Sequence, residues 1–173
     1  MSMSDLPPFE DEAPQPELQA QPHSREAEEA VLGAVLINPE TYYNIAQFLR
    51  SDDFYIVRNR WLWEAFNRLH ERRIPLDYLT VCQELEEGEH LTEIGGPAYV
   101  TALINQTPTS MHAEAYGRIV EAHSVRRRML QAANEMARLA YDQSQTVDNI
   151  LGEAEKAVFG LSERRIQHDL QPI

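Results

Sequence analysis

Between residues 24 and 161 apolar side chains recur every three or four positions with polar residues between them, which is the period of an amphipathic helix. Ser24 caps the first run, which carries Ala27, Ala30, Val31, Ala34 and Val35. Asn38-Pro39-Glu40 closes that helix and opens another, with Asn38 as cap, Pro39 at the first helical position, and Tyr43, Ile45, Ala46 and Leu49 on the apolar side. Ser51-Asp52-Asp53 reads as a polar turn, and the aromatics after it, Phe54 and Tyr55, are expected to plug a core. A third helix over 58–72 presents Trp61, Leu62, Ala65, Phe66 and Leu69. Ile74-Pro75-Leu76 breaks it, because proline lacks the amide that a helix interior needs. Asp77 caps a fourth helix bearing Leu79, Val81, Cys82 and Leu85, and Gly88 ends it. Leu91 to Pro97 is a tight connector into a short helix through Leu103, and Thr107-Pro108-Thr109-Ser110 is a boundary. No stretch alternates with period two for long enough to demand a sheet.

The run from Ser110 to Tyr141 reads as one helix of about 30 residues, roughly 45 Å long. It carries two apolar stripes. One is Tyr116, Ile119, Val120, His123, Arg127, Leu130, Ala133 and Ala137; the other is Val125, Met129, Ala132, Met136 and Leu139. One stripe buries a helix against its own core, and two call for a second partner. After a turn at 142–145, Thr146 caps a last helix with Val147, Ile150, Leu151, Ala154, Val158 and Leu161 on one face. Long helix, turn and helix make an αα-hairpin. The predicted fold is therefore all-α: a compact orthogonal helical head over 23–109 and an extended αα-hairpin over 110–161. Residues 1–22 hold five of the ten prolines and are expected to be a disordered extension, while 162–173 is polar and reads as the start of a linker.

Charge and reactive groups narrow the function. The net charge of -13 argues against a strongly basic nucleic-acid module. Part of that excess is local: residues 1–22 contain Asp5, Glu10, Asp11, Glu12 and Glu17 and no basic residue. Cys82 is the only cysteine, which excludes an intramolecular disulfide and a cysteine-based metal cluster, and its apolar setting marks a small core residue. The single lysine, Lys156, sits in an amphipathic helix, so no Gly-Lys-Ser/Thr phosphate loop is present. The six histidines lack the spacing of a zinc site, and His123 on its stripe reads as a satisfied core or interface residue. Glu84, Glu86, Glu87 and Glu89 are expected to form a solvated acidic face. Neither a membrane-length apolar run nor a signal peptide is present, so cytoplasmic residence is the expectation.

Dense basic runs occur at Arg126-Arg127-Arg128 and Arg164-Arg165. Three successive arginines spread around a helix and cannot form one phosphate-tracking stripe. They read as charged contacts bracketing an interface, with a nucleic-acid-binding module that uses the arginine clusters as the alternative.

Several segments in fixed order carry a resemblance. Pro22 to Leu36, Asp53-Phe54-Tyr55, Ile74 to Asp77, Leu91 to Tyr99, Asn105 to Ser110, Glu114 to Val120 and Glu153 to Phe159 resemble the N-terminal domain of the bacterial replicative DNA helicases, the DnaB family. The similarity spans about residues 22–165, and the acidic extension is additional to it. It implies an oligomerisation and protein-docking domain in which hairpins pair between subunits and the dimers assemble as a threefold collar on a hexameric ring. The implied partners are a second copy of this chain, primase, a helicase loader, and single-stranded DNA mainly through the motor. ATP and magnesium belong, on this resemblance, to a motor domain absent from these residues, so the chain itself carries no catalytic site. The hairpin-pairing residues expected are the first stripe of the long helix against Ile150, Leu151, Ala154 and Val158, with the second stripe as the alternative face.

Overall fold

Ser24 and Asp77 show how the chain starts its helices: each side chain accepts the amide three residues on, at 3.2 Å from Ala27 and 2.9 Å from Thr80. The computed structural model describes residues 20–169, with side chains described through residue 163. Within them the chain forms α1 (Arg25–Ile37), α2 (Thr41–Ala46), a 3-10 turn (Ser51–Asp53), α3 (Val57–Glu71), α4 (Tyr78–Glu87), α5 (Pro97–Gln106), α6 (Ala113–Tyr141) and α7 (Val147–Asp169). No strand occurs among the described residues, so the chain is all-α.

α1 is the centre of the head. It touches α2, α3, α5 and α6, and Val31, Leu32, Gly33, Ala34, Val35 and Leu36 are consecutively buried. A helix enclosed on several sides has no polar face to keep. Gly33 permits the closest of these approaches: a Cβ there would lie 1.9 Å from Thr107 Oγ1 and 2.5 Å from the Leu103 carbonyl oxygen of α5. Below α1, Phe54 and Tyr42 pack on Trp63 with ring centroids 5.4 and 5.3 Å apart.

Several local expectations change: Tyr43 and Leu79, expected on the apolar sides of their helices, are instead exposed, at 59% and 72%. α2 begins at Thr41 rather than at Pro39, because Asn38 folds a turn first: its Oδ1 accepts the Glu40 amide at 3.2 Å and its carbonyl accepts the Thr41 amide at 3.0 Å. Phe54 is fully buried, but Tyr55 lies at the surface with His23 stacked on it at 4.4 Å. Glu84 is not part of a solvated acidic face. It is buried between α3 and α4, where Arg68 Nε donates to Oε1 at 2.6 Å and Arg72 to Oε2. Two guanidinium partners compensate a carboxylate that would otherwise be costly to remove from water.

α6 leaves the head midway along its length. Ala113, Gly117, Val120, Ser124 and Arg127, spaced four and three apart, are buried against the head. Gly117 lets the Phe48 ring come within 3.0 Å of where a Cβ would be. After Arg127 the next buried position on α6 is Leu139, beside the turn into α7, and α7 packs along α6. The outer half of the hairpin therefore stands away from the head, and α7 runs on through the polar segment after Leu161 to Asp169.

Candidate assembly surface at the hairpin

The two stripes of the long helix take different places. From the first, Val120 and Arg127 are buried in the chain's own head, with Tyr116 and His123 half-buried beside them. Ile119, Leu130, Ala133 and Ala137 are exposed. From the second, Leu139 is buried, Val125 and Ala132 are half-buried on the side turned to α7, and Met129 and Met136 are exposed. On α7, Ile150 and Ala154 are half-buried, while Leu151 and Val158 face solvent.

What α6 leaves uncovered is a third side. Ile119, Ala122, Arg126, Met129, Ala133, Met136 and Ala140 are all exposed, and they follow one another at intervals of three and four. That is the a/d spacing of a coiled-coil seam, bordered by Leu130 and Ala137. The large members are 43% (Ile119), 55% (Met129) and 47% (Leu130) accessible. Ala122 and Ala140 are missing from either predicted stripe, although the same three-four spacing in the sequence contains them. The small alanines admit close approach of a second helix; the methionines adapt to irregular partners.

The pivot of the hairpin is polar. Arg127 donates through Nη1 to the Pro22 carbonyl at 2.7 Å and through Nη2 to the Asp53 carbonyl at 2.5 Å. Ser124, one turn earlier, donates to the buried Asp53 carboxylate at 2.6 Å. Asp53 also accepts the Arg50 amide at 2.8 Å, so one carboxylate ties the 3-10 turn to α6. Burial pushes the Arg127 guanidinium's pKa down, opposed by the nearby Glu28 and Asp53 carboxylates. Arg127 thus clamps the strap before α1, the 3-10 turn and the long helix together.

Glu28 performs the matching task inside the head. Ile56 precedes α3 without a capping side chain, and the Glu28 carboxylate from α1 accepts the Tyr55 and Ile56 amides at 2.7 and 3.3 Å and Asn59 Nδ2 at 2.9 Å. A negative charge there also suits the positive end of the α3 dipole. Asn59 Oδ1 in turn accepts the Tyr99 hydroxyl at 2.6 Å, and burial lifts that phenol to a pKa of about 12. None of this network has a signal in the sequence, where Glu28 is one of three glutamates near a helix start.

The remaining candidate groups divide plainly. His123 is half-buried on its stripe but is not the satisfied histidine expected: its Nδ1 is buried without a hydrogen-bond partner, and burial, followed by the charges of Arg126 and Arg127, lowers its pKa. Arg126 is exposed, and Arg128 is half-buried with an unpartnered Nε. Arg164 and Arg165 lie in α7 but outside the residues whose side chains are described. Cys82 is buried, and burial raises its pKa. Among the described residues no three His, Cys, Asp or Glu side chains are placed to hold a metal ion, and no helix is long and apolar enough to cross a membrane.

Comparison with known proteins agrees with this architecture. The family described as DnaB-like helicase N terminal domain matches residues 20–122. The replicative DNA helicase DnaB of Geobacillus stearothermophilus is 38% identical over 144 residues, which are 83% of this chain and 32% of that protein. The replicative DNA helicase DnaC of Bacillus subtilis (strain 168) is 35% identical over 144 residues, with the same 83% and 32% coverage. The chain thus spans about a third of the length of these curated relatives. The crystal structure of the N-terminal domain of DnaB helicase from Mycobacterium tuberculosis superposes with a TM-score of 0.78 at 28% identity, covering 82% of this chain and 99% of that one.

Proposed function

The chain belongs to the family of DnaB-like helicase N-terminal domains, and from that premise we propose that it is the oligomerisation and protein-docking collar of a hexameric replicative DNA helicase. The observation that carries this reading is the exposed three-four seam on α6. The head already has a closed core and α7 already covers one side of α6, yet Ile119, Met129, Leu130 and Met136 remain in water. An apolar seam of that spacing is stabilised by a second helix of the same kind. A second copy of the hairpin supplies one, since Leu151, Val158 and Phe159 of α7 are 56%, 51% and 60% accessible.

On this reading the hairpins pair around Ile119, Leu130, Ala133 and Ala137, and the dimers assemble as a trimer of dimers above the motor ring. Val120 and Arg127 serve the pairing indirectly, by fixing the angle at which the hairpin leaves the head. Primase and a helicase loader dock on the assembled collar, at the replication fork in the cytoplasm. Single-stranded DNA, ATP and magnesium are handled by the motor domain of the full-length helicase. The alternative of an arginine-based nucleic-acid module is weakened by Arg127, whose guanidinium is occupied by backbone carbonyls.

Sedimentation equilibrium over a wide concentration range tests the reading. Reversible dimers or larger species are expected, and primase is expected to bind the associated form more tightly than the dilute one. A strict monomer at high concentration, with primase binding indifferent to concentration, is the contrary result.

A further inference from the structure

The exposed seam of α6, from Ile119 to Ala140, is apolar at every position but one: Arg126 stands in it between Ala122 and Met129. Its own helix offers no acceptor, because Ala122, His123, Met129 and Leu130 fill the positions three and four away. The exposed side of α7 has the opposite irregularity. Leu151, Glu155 and Val158 are exposed there at intervals of four and three, and the positions three and four from Glu155 are Leu151, Gly152, Val158 and Phe159. Other charges of the hairpin settle along their own helices: Arg118 on Glu121 at 3.0 Å, Arg138 on Glu135 at 2.6 Å and Lys156 on Glu153 at 2.9 Å. Among the described residues Arg126 meets no carboxylate and Glu155 no cation.

A lone charge in an apolar seam decides what can cover it. A second helix closing over Arg126 without an acceptor takes a guanidinium out of water, and contact with the neighbouring alanines and methionines does not offset that loss. The nearest carboxylates of α6, Glu121 and Glu135, already hold Arg118 and Arg138. Glu155 is uncommitted, and it lies in the apolar stripe of α7 that a second copy brings to the seam. Ala122 and Ala133, one and two turns from Arg126, leave room beside it for the partner's helix. A guanidinium and a carboxylate form two parallel charge-assisted hydrogen bonds, so the pair satisfies both groups in one register and is lost in its neighbours. A twofold contact makes the pair twice.

We propose that Arg126 of one copy pairs with Glu155 of a second, and that this pair sets the register and the choice of partner when hairpins assemble. The inference rests on the assembly reading and deepens it. The apolar seam supplies the adhesion, and the two opposite charges decide where along the seam the second hairpin settles. A helix without a carboxylate at that point leaves Arg126 uncompensated and is rejected.

The test compares the full chain with two full-length charge reversals, Arg126→Glu and Glu155→Arg, both at exposed positions where circular dichroism should be unchanged. Each reversed chain sets like charges against one another across the twofold contact, and sedimentation equilibrium should show its self-association weakened at least about tenfold. An equimolar mixture of the two chains brings opposite charges together at both sites, so the mixed species should form within about threefold of the native affinity. A chain carrying both reversals should regain self-association. The proposal is overturned if the reversed chains self-associate as the native chain does, or if their mixture is no tighter than either chain alone. A native chain that itself stays monomeric at high concentration is the separate result that removes the assembly reading, and the pair with it.

Discussion

Arg127 shows how much a single side chain carries at the junction. It is 8% accessible and its two terminal nitrogens satisfy carbonyls of the strap and of the 3-10 turn. Arg127→Met keeps the aliphatic stem and removes the clamp, leaving two carbonyls to find water. Urea melts are expected to show a loss of about 2–4 kcal/mol, with enhanced amide exchange at 20–24 before global unfolding. Glu28→Gln keeps the shape of the α3 cap but loses the charge and one acceptor, for an expected loss of about 1–3 kcal/mol. His123 gives the pH dependence. Its folded pKa lies below the ordinary 6.5, so the unfolded chain takes up a proton first as pH falls. The contribution is whole above 6.5 and is lost as pH drops from there through the folded value. Melts at pH 7.5 and 5.5 are expected to differ less in His123→Gln than in the native chain, and an equal difference in both would refute the assignment. The helical spacing puts Arg127 and His123 on a stripe that meets the core or an interface, but the partners of Arg127 and the capping task of Glu28 have no signal in the sequence. Arg127 sits in a run of three identical residues, and only the pitch of α6 decides which one turns into the head.

Among the elements, the sequence is legible where a helix carries its own punctuation. Ser24, Asp77 and Gly88 cap as expected, and the hydrophobic period located every long helix. It is less legible where tertiary contact supplies the cap. α2 starts late because Asn38 spends its side chain on a turn, and α3 borrows its cap from α1. Glu84 looked solvated because its neighbours in the chain are acidic, while its partners come from another helix. Close packing of elements was equally hidden. Gly33→Ala, which raises helix propensity in α1, is expected to destabilise by about 1–3 kcal/mol, because the Leu103 carbonyl lies 2.5 Å from the new methyl and cannot rotate away. A calorimetric midpoint equal to or above that of the native chain would contradict this account of the α1–α5 contact.

For the molecule as a whole, the two stripes seen in the sequence answer to three sides of one helix. The inner end of the first stripe is used by the head, much of the second is turned to α7, and the rest of both merges into the exposed seam. Sequence spacing could reveal a surplus of apolar surface, but apportioning it needed the point at which α6 leaves the head, and that point is set by buried Ser124 and Arg127. Neither residue looks apolar. The surplus itself is what the proposed collar role requires: a head rigid enough to aim a hairpin, and a hairpin unfinished on one side. The most direct measurement is the association constant of the native chain against Leu130→Asp, with Leu79→Asp on the exposed flank of the head as control. Both positions are accessible, at 47% and 72%, so both variants should fold with unchanged circular dichroism. The account predicts that Leu130→Asp weakens self-association at least about tenfold, about 1.4 kcal/mol, and that Leu79→Asp leaves it unchanged. Association that survives Leu130→Asp intact, or that falls only with Leu79→Asp, would contradict it.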